Sequence, residues 1–167
     1  MEELSMRETL KAGDERKVEE EFFQYIVIRL GDEQYGIDIR YIDNIVRMQR
    51  ITRVPKAQSY FKGVINLRGE IVPVMSLRLK FGLPADEITD KTRIIIIKLE
   101  QQATVGLIVD QVNEVVTLDE DSIEKTTVDA NKDMAGYISA IGKNKGELIS
   151  LLNIQLAITD KDTSKED

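Results

Sequence analysis

Asp119, Glu120 and Asp121 stand in a row, and an acid- and hydroxyl-rich run, Asp160-Lys161-Asp162-Thr163-Ser164, lies further along. Two converging carboxylates can serve as general acid and base in a hydrolase. Three consecutive acids on a loop have a simpler use at the start of a helical turn, where the backbone dipole favours negative charge. The second run resembles the opening of a calcium loop, but Lys165 occupies the sixth position, where such a loop needs glycine. Other reactive groups are missing. With no cysteine and no histidine, the chain has no thiol nucleophile, no imidazole base and no phosphohistidine, and it lacks the usual zinc and non-haem iron ligands. Neither GxxxxGK[ST] nor GxGxxG occurs, so no phosphate-cradling loop is expected. Arg47, Arg50, Arg53, Lys56 and Lys62 could line a nucleic-acid groove on a small β-barrel, with Tyr60 and Phe61 the only aromatics near enough to stack bases.

Charge is distributed unevenly. The net value is −7 over 167 residues. Residues 1–21 hold eight acidic and four basic groups, and residues 160–167 hold four and two. Residues 40–80 hold nine basic and two acidic groups, whereas residues 100–133 hold two basic and nine acidic. Opposite charge on different faces suits a protein that orients different neighbours on different sides. No apolar run is long enough to span a membrane. The opening residues lack the apolar centre of a secretory signal, which implies a cytoplasmic location.

These side chains must be positioned by β structure. FFQYIVIRL (22–30) alternates, GDEQ turns, and YGIDI (35–39) returns, forming a hairpin. Ile39, Ile42, Ile45 and Val46 recur at a spacing that fits a helical turn or a bent strand, and QSYFKG reads as a short helix ended by Gly63. VINL (64–67) and EIVPVMSL (70–77) make a second hairpin with Arg68 and Gly69 at its bend, where glycine supplies a positive φ. Pro73 predicts an edge or bulged strand, and RLKFG a short helical turn. RIIIIKLE (93–100) reads as a strand buried on both faces. TVGLIVDQVNEVVTL (104–118) is one bent strand or two. YISAIG and ELISLL flank KNKG as a third hairpin, NIQLAIT is a final short helix, and Leu4–Leu10 could form an amphipathic one. Short strands at this spacing predict an all-β fold, with Pro84–Lys91 separating two barrel-like halves. No solenoid repeat is apparent.

The order of LGDEQYGIDI, FKGVINLRGEIVPVMSLRLKFG, VGLIVDQVNEV and a closing hairpin ending in LLNI resembles the bacterial chemotaxis coupling (adaptor) protein family CheW, over about Phe22–Ile158. GVINLRGEIVPV is shared mainly with the regulatory domain of the chemotaxis histidine kinase and with coupling–receiver fusions, but neither fits as a whole protein. The resemblance implies two five-stranded SH3-like β-barrel subdomains with a few short helices. It implies mobile tails over 1–21 and 160–167 and a single domain over 22–159, with one subdomain at about 22–84 plus a C-terminal segment and the other at about 92–152. It further implies a non-enzymatic adaptor, without cofactor or metal, that is a monomer when isolated. Its partners would be the regulatory domain of the chemotaxis histidine kinase and the cytoplasmic tip of methyl-accepting receptors, at membrane-associated receptor arrays; neither nucleic acid nor membrane insertion is expected. The alternative is a small β-barrel module that binds nucleic acid. The resemblance places Ile26, Ile39, Ile42, Arg68 and Val112 at receptor-binding positions and gives Gly63 and Gly69 the role of shaping the motif. Asn44 stands where some relatives have glutamate, and Glu124 lies where some place a basic residue.

Overall fold

The computed structural model describes residues 21–100, 103–125 and 134–160; the expected helix at Leu4–Leu10 and most of the 160–164 run lie outside them. Eleven strands are formed: β1 (Phe22–Leu30), β2 (Glu33–Asp38), β3 (Ile42–Arg47), β4 (Phe61–Leu67), β5 (Glu70–Ser76), β6 (Arg93–Lys98), β7 (Thr104–Val109), β8 (Gln111–Asp119), β9 (Ile123–Lys125), β10 (Ile138–Asn144) and β11 (Glu147–Leu152). Two short helices follow hairpins, α1 (Leu77–Lys80) and α2 (Ile154–Thr159). The architecture is all-β, in two subdomains of the SH3-like barrel kind. One sheet has the order β8-β1-β2-β11-β10-β9 and the other β3-β6-β7-β5-β4. The first therefore carries a sixth strand, the three-residue β9.

The apportioning of strands corrects the expected boundary at Pro84–Lys91. Hairpin β1–β2 joins the sheet of β8–β11, while hairpin β6–β7 joins the sheet of β3–β5. Each half of the chain thus lends its first hairpin to the other. Each lent hairpin enters by parallel pairing on one side, Gly36 opposite Leu151 and Gly106 opposite Val74, and by antiparallel pairing on the other, β1 with β8 and β6 with β3. A hairpin forms from local contacts and carries no local record of the sheet it will enter, so residue patterns could not assign it.

The exchange exposes an internal duplication. Arg68-Gly69-Glu70-Ile71 in the first half corresponds to Lys145-Gly146-Glu147-Leu148 in the second. Both bends place a basic residue and then a glycine at positive φ, 54° and 85° against 53° and 84°, as tight two-residue hairpins require. β4 and β10 have the same burial pattern and carry a register shift at the same place. The Ser76 N–H donates to the Tyr60 carbonyl at 2.7 Å, and the Asn153 N–H to the Tyr137 carbonyl at 2.8 Å. Ser76 Oγ then caps α1 by accepting from Leu79 N–H, as Asn153 Oδ1 caps α2 by accepting from Leu156 N–H, each at 3.1 Å.

Three apolar clusters result. The largest lies between the sheets, where Ile26, Ile28 and Ile37 meet Ile95, Ile97 and Leu107. A second fills the six-stranded subdomain around Val27, Val116 and Leu151, and a third fills the five-stranded one around Ile65, Val72 and Ile94. The four isoleucines of β6 serve two clusters alternately, which explains their unbroken run. Pro73 sits on an internal strand rather than an edge. It is tolerated because the pairing of β5 with β7 begins only at Val74. The expected helix at QSYFKG is not formed, since Phe61, Lys62 and Gly63 belong to β4. There Gly63 has φ 140°, and a Cβ would lie 2.1 Å from the Thr52 carbonyl oxygen, which accepts the Val64 N–H. Gly63→Ala is expected to cost about 2–4 kcal/mol through combined strain and clash, measured as a lowered urea midpoint with an unchanged slope.

Candidate functional site

The chain passes from one sheet to the other at two places, between β2 and β3 and between β7 and β8. Each crossing is held by an aspartate–arginine pair. At the first, Asp38 Oδ1 accepts the Arg40 N–H at 2.9 Å, capping a single 3-10 turn (Ile39–Tyr41), while the Arg40 guanidinium donates back to both carboxylate oxygens, the shorter bond 2.7 Å from Nη2. At the second, Arg78 of α1 donates from Nε and Nη2 to the two oxygens of Asp110, each at 2.8 Å, and from Nη1 to the Pro84 carbonyl at 3.0 Å. Asp110 Oδ2 also accepts the Gly31 N–H from the β1–β2 turn at 2.8 Å. A bidentate pair fixes geometry as well as charge, so α1, the β1–β2 turn and the β7–β8 junction are locked together.

Ile39, Ile42 and Val112 flank these crossings directly. All three are partly buried and pack on the margin of the inter-sheet cluster. The space between the sheets is filled by the protein's own side chains, so these residues form a rim rather than the wall of an open cleft. Ile26 belongs to the same cluster but is only 6% exposed; it supports the rim and offers almost no surface. Ile39 also lines a cavity of about 540 Å³ with Phe22, Phe23, Asp38 and Arg40. Phe22 is 59% exposed there. Phe22 and Phe23 were read from sequence only as strand residues; their place at the end of β1, against the Asp38–Arg40 turn, emerges from the pairing of β1 with β2.

Arg68 lies elsewhere. It tops the β4–β5 hairpin, whose inward side belongs to the third cluster. Asn66 Oδ1 accepts the Gly69 N–H at 2.9 Å and stabilises the bend. Among the described residues the exposed Arg68 guanidinium has no hydrogen-bond or ion-pair partner. The structure thus gathers Ile26, Ile39, Ile42 and Val112 around one cluster and sets Arg68 apart on a separate hairpin. Gly63 and Gly69 shape that hairpin at its base and tip.

The other chemically suggestive groups have structural uses. Asp119 Oδ1 accepts the Ser122 N–H at 3.0 Å, capping a turn over Glu120–Ser122. Tyr60 is buried, with the Lys80 ammonium 4.3 Å from its ring centre, so it cannot act as a base-stacking platform. Lys80 also donates to the Asp160 carbonyl, and the Tyr137 hydroxyl donates to Asp160 Oδ2 at 2.6 Å, tying α1 to the end of α2. No group of side chains among the described residues could hold a metal ion, and no described helix is long and apolar enough to cross a membrane.

Three carboxylates are perturbed. The Arg78 hydrogen bonds outweigh burial and hold Asp110 below its usual range, with the Gly31 N–H and the Arg78 charge adding to the effect. Burial would raise Asp38, but hydrogen bonds and charge from Arg40 lower it. Asp86, in the connector after α1, is raised, first by burial and then by the charge of Asp110; Ser76, Arg78 and Lys62 oppose this. Both Asp86 oxygens are sealed from solvent and form no hydrogen bond of normal geometry, the Ser76 hydroxyl giving at most a distorted one. A carboxylate so enclosed cannot reach a substrate, so Asp86 and Asp110 do not form a hydrolytic pair.

The described residues thus form an all-β pair of subdomains with exchanged hairpins and an apolar rim at two charge-pinned crossings, the architecture of the CheW-like scaffold. A family model described as the CheW-like domain matches residues 24–162, and the chain belongs to that family. It is 39% identical over 140 residues to the chemotaxis protein CheW of Bacillus subtilis, covering 84% of this chain and 88% of that one. To the chemotaxis protein CheW of Helicobacter pylori it is 36% identical over 147 residues, covering 86% of each. The crystal structure of the scaffolding protein TtCheW from Thermoanaerobacter tengcongensis superposes with a TM-score of 0.74 at 34% identity, covering 82% of this chain and 92% of that one.

Two substitutions report on the crossing. Asp110→Asn is expected to cost about 1.5–3 kcal/mol at pH 7, the range for hydrogen bonds to charged groups. Because the folded-state pKa of Asp110 is depressed, its contribution is present above the ordinary carboxylate range and is lost as pH falls below about 3.8. Denaturation midpoints of wild type and variant should converge there. Asp86→Asn should act in the opposite sense. A raised folded-state pKa means that stability is lost as pH rises through it, so the variant should melt higher than wild type at pH 7 and match it near pH 3.

Proposed function

We propose that this chain is a non-catalytic chemotaxis adaptor that couples the cytoplasmic tip of methyl-accepting receptors to the chemotaxis histidine kinase and thereby sets kinase activity. The observation that carries the reading is an unpaired, exposed arginine at the bend of GVINLRGEIVPV, in a chain of the CheW-like family. Planar guanidinium chemistry suits carboxylates and backbone carbonyls, which a receptor's helical hairpin presents. The apolar rim of Ile39, Ile42 and Val112 suits the apolar stripe of such a helix. Arg68 and the rim lie on different elements, so a receptor tip that used both would span the five-stranded subdomain and the crossings. The kinase regulatory domain would then be held mainly on the first subdomain. Placement at membrane-associated arrays follows from the partners, and the isolated chain would be monomeric.

Weak individual contacts suffice, because an array multiplies them. The test combines receptor tip, kinase and this chain and measures kinase output. Arg68→Ala should fold normally, since the side chain is exposed and has no hydrogen-bond or ion-pair partner among the described residues. It should weaken receptor binding by about 1–2 kcal/mol, roughly 5- to 30-fold, and receptor control of the kinase should weaken with it. Full coupling by a folded Arg68→Ala chain would refute the role of this side chain.

A further inference from the structure

The duplication leaves one element unmatched. In the six-stranded sheet the outer edge of β10 is covered by β9, through the pairs Ala140–Lys125, Ile141–Glu124 and Gly142–Ile123. Among the described residues the equivalent edge of β4 is covered only by a single bridge, Thr52 to Val64. Shallow cavities flank that bridge on both sides. One, of about 540 Å³, is lined by Arg53, Val54, Lys56, Phe61 and Lys62 among others; the second, of about 430 Å³, includes Arg50, Asn66 and Ile71. Apolar side chains stand exposed in both, Val54 at 47% and Ile71 at 62%.

The residues of this edge are basic. Between Asp43 and Glu70 the sequence contains no acidic residue. Arg50, Arg53, Lys56 and Lys62 are exposed, and none has a hydrogen-bond or ion-pair partner among the described residues. Lys62 feels the nearby Asp86 carboxylate, but Arg50, Arg53 and Lys56 stand beside exposed aliphatic groups, an arrangement that fits an acidic segment carrying apolar anchors.

We propose that the occupant is the chain's own N-terminal segment, residues 1–20, docked along the β4 edge. The segment carries seven acidic and four basic side chains, and its apolar residues include Leu4, Met6 and Leu10. It joins the fold at Glu21, immediately before β1. Twenty residues can extend to about 66 Å, and a folded chain of this length is about 40 Å across, so the edge lies within reach. Tethering supplies an effective concentration in the millimolar range, enough for a weak, salt-sensitive contact. Arg68 ends the same strand, so occupancy would screen its guanidinium and compete with any acidic partner arriving there. The docking itself does not depend on the coupling function.

Because the natural chain has no cysteine, a nitroxide attached at Ser5→Cys labels one site in the full-length protein. In isotope-labelled protein carrying that nitroxide, the amide signals of residues 53–62 and 64–71 should lose most of their intensity and recover at high salt. The combined Arg53→Glu, Lys56→Glu and Lys62→Glu chain should abolish the loss while its other signals stay in place. Removal of residues 1–20 should shift the same amides, an independent reading if the charge-reversed chain does not fold. Unaffected amides on the β4 edge, or a loss centred elsewhere, would overturn the proposal. So would a loss that persists when isotope and nitroxide are on different molecules, since a second copy would then be the occupant.

Discussion

Everything in this molecule depends on a layer of apolar side chains that belongs to neither sheet alone. Ile26, Ile28 and Ile37 come from one sheet and Ile95, Ile97 and Leu107 from the other. Burying residues of this kind is worth roughly 1.5–3 kcal/mol each, and the gain exists only while both sheets are in place. The two backbone crossings close the margins of this layer, and both are pinned by an aspartate and an arginine. The charges are placed where the chain must change direction between sheets. There they fix geometry more than they add stability, since one arginine of the two is fully exposed. Ile39, Ile42 and Val112 owe their partly exposed positions to this constraint, because each lies within a few residues of a pinned turn.

The sequence was most legible where local chemistry decides the structure. The Arg68-Gly69 and Lys145-Gly146 bends, the buried β6 run and the presence of both short helices could be read from a few neighbouring residues, though not the Ser76 and Asn153 caps. Errors arose where distant partners decide. Phe61–Gly63 looked like the end of a helix because aromatic residues and glycine are ambiguous until Thr52 is seen lying against the Gly63 backbone. The run 104–118 left one bent strand or two open, since the division at Asp110 is fixed by the distant Arg78 and Gly31. The division of the chain at residues 84–92 failed for the same reason: a hairpin's own residues do not name the sheet it joins.

The site was partly legible. The family resemblance pointed to Ile26, Ile39, Ile42, Val112 and Arg68 as receptor-facing, but periodicity could not tell a rim residue from a core residue, and Ile26 is buried. Phe22 and Phe23 were invisible as site residues because their exposure depends on a turn sixteen residues away in sequence. The duplication was hidden as well. Beyond the shared Gly-Glu of the two bends the halves share residue classes more than identities: arginine matches lysine, isoleucine matches leucine, and Gly63 matches Ala140. What they preserve is the shape of a bend, a bulge and a capped helix, which a search for recurring letters does not find.

The lending of hairpins governs how the chain can be made. During synthesis the β1–β2 hairpin emerges early, but Gly36 finds its parallel neighbour only when Leu151 has appeared. The five-stranded sheet can close once Val109 has been made, but the six-stranded sheet waits for Leu152, so β2 keeps an unpaired edge through most of translation. Long-range pairing of this sort slows folding and leaves intermediates open to association with other chains. The six-stranded sheet is for that reason exposed at the β2 edge while the chain is being built.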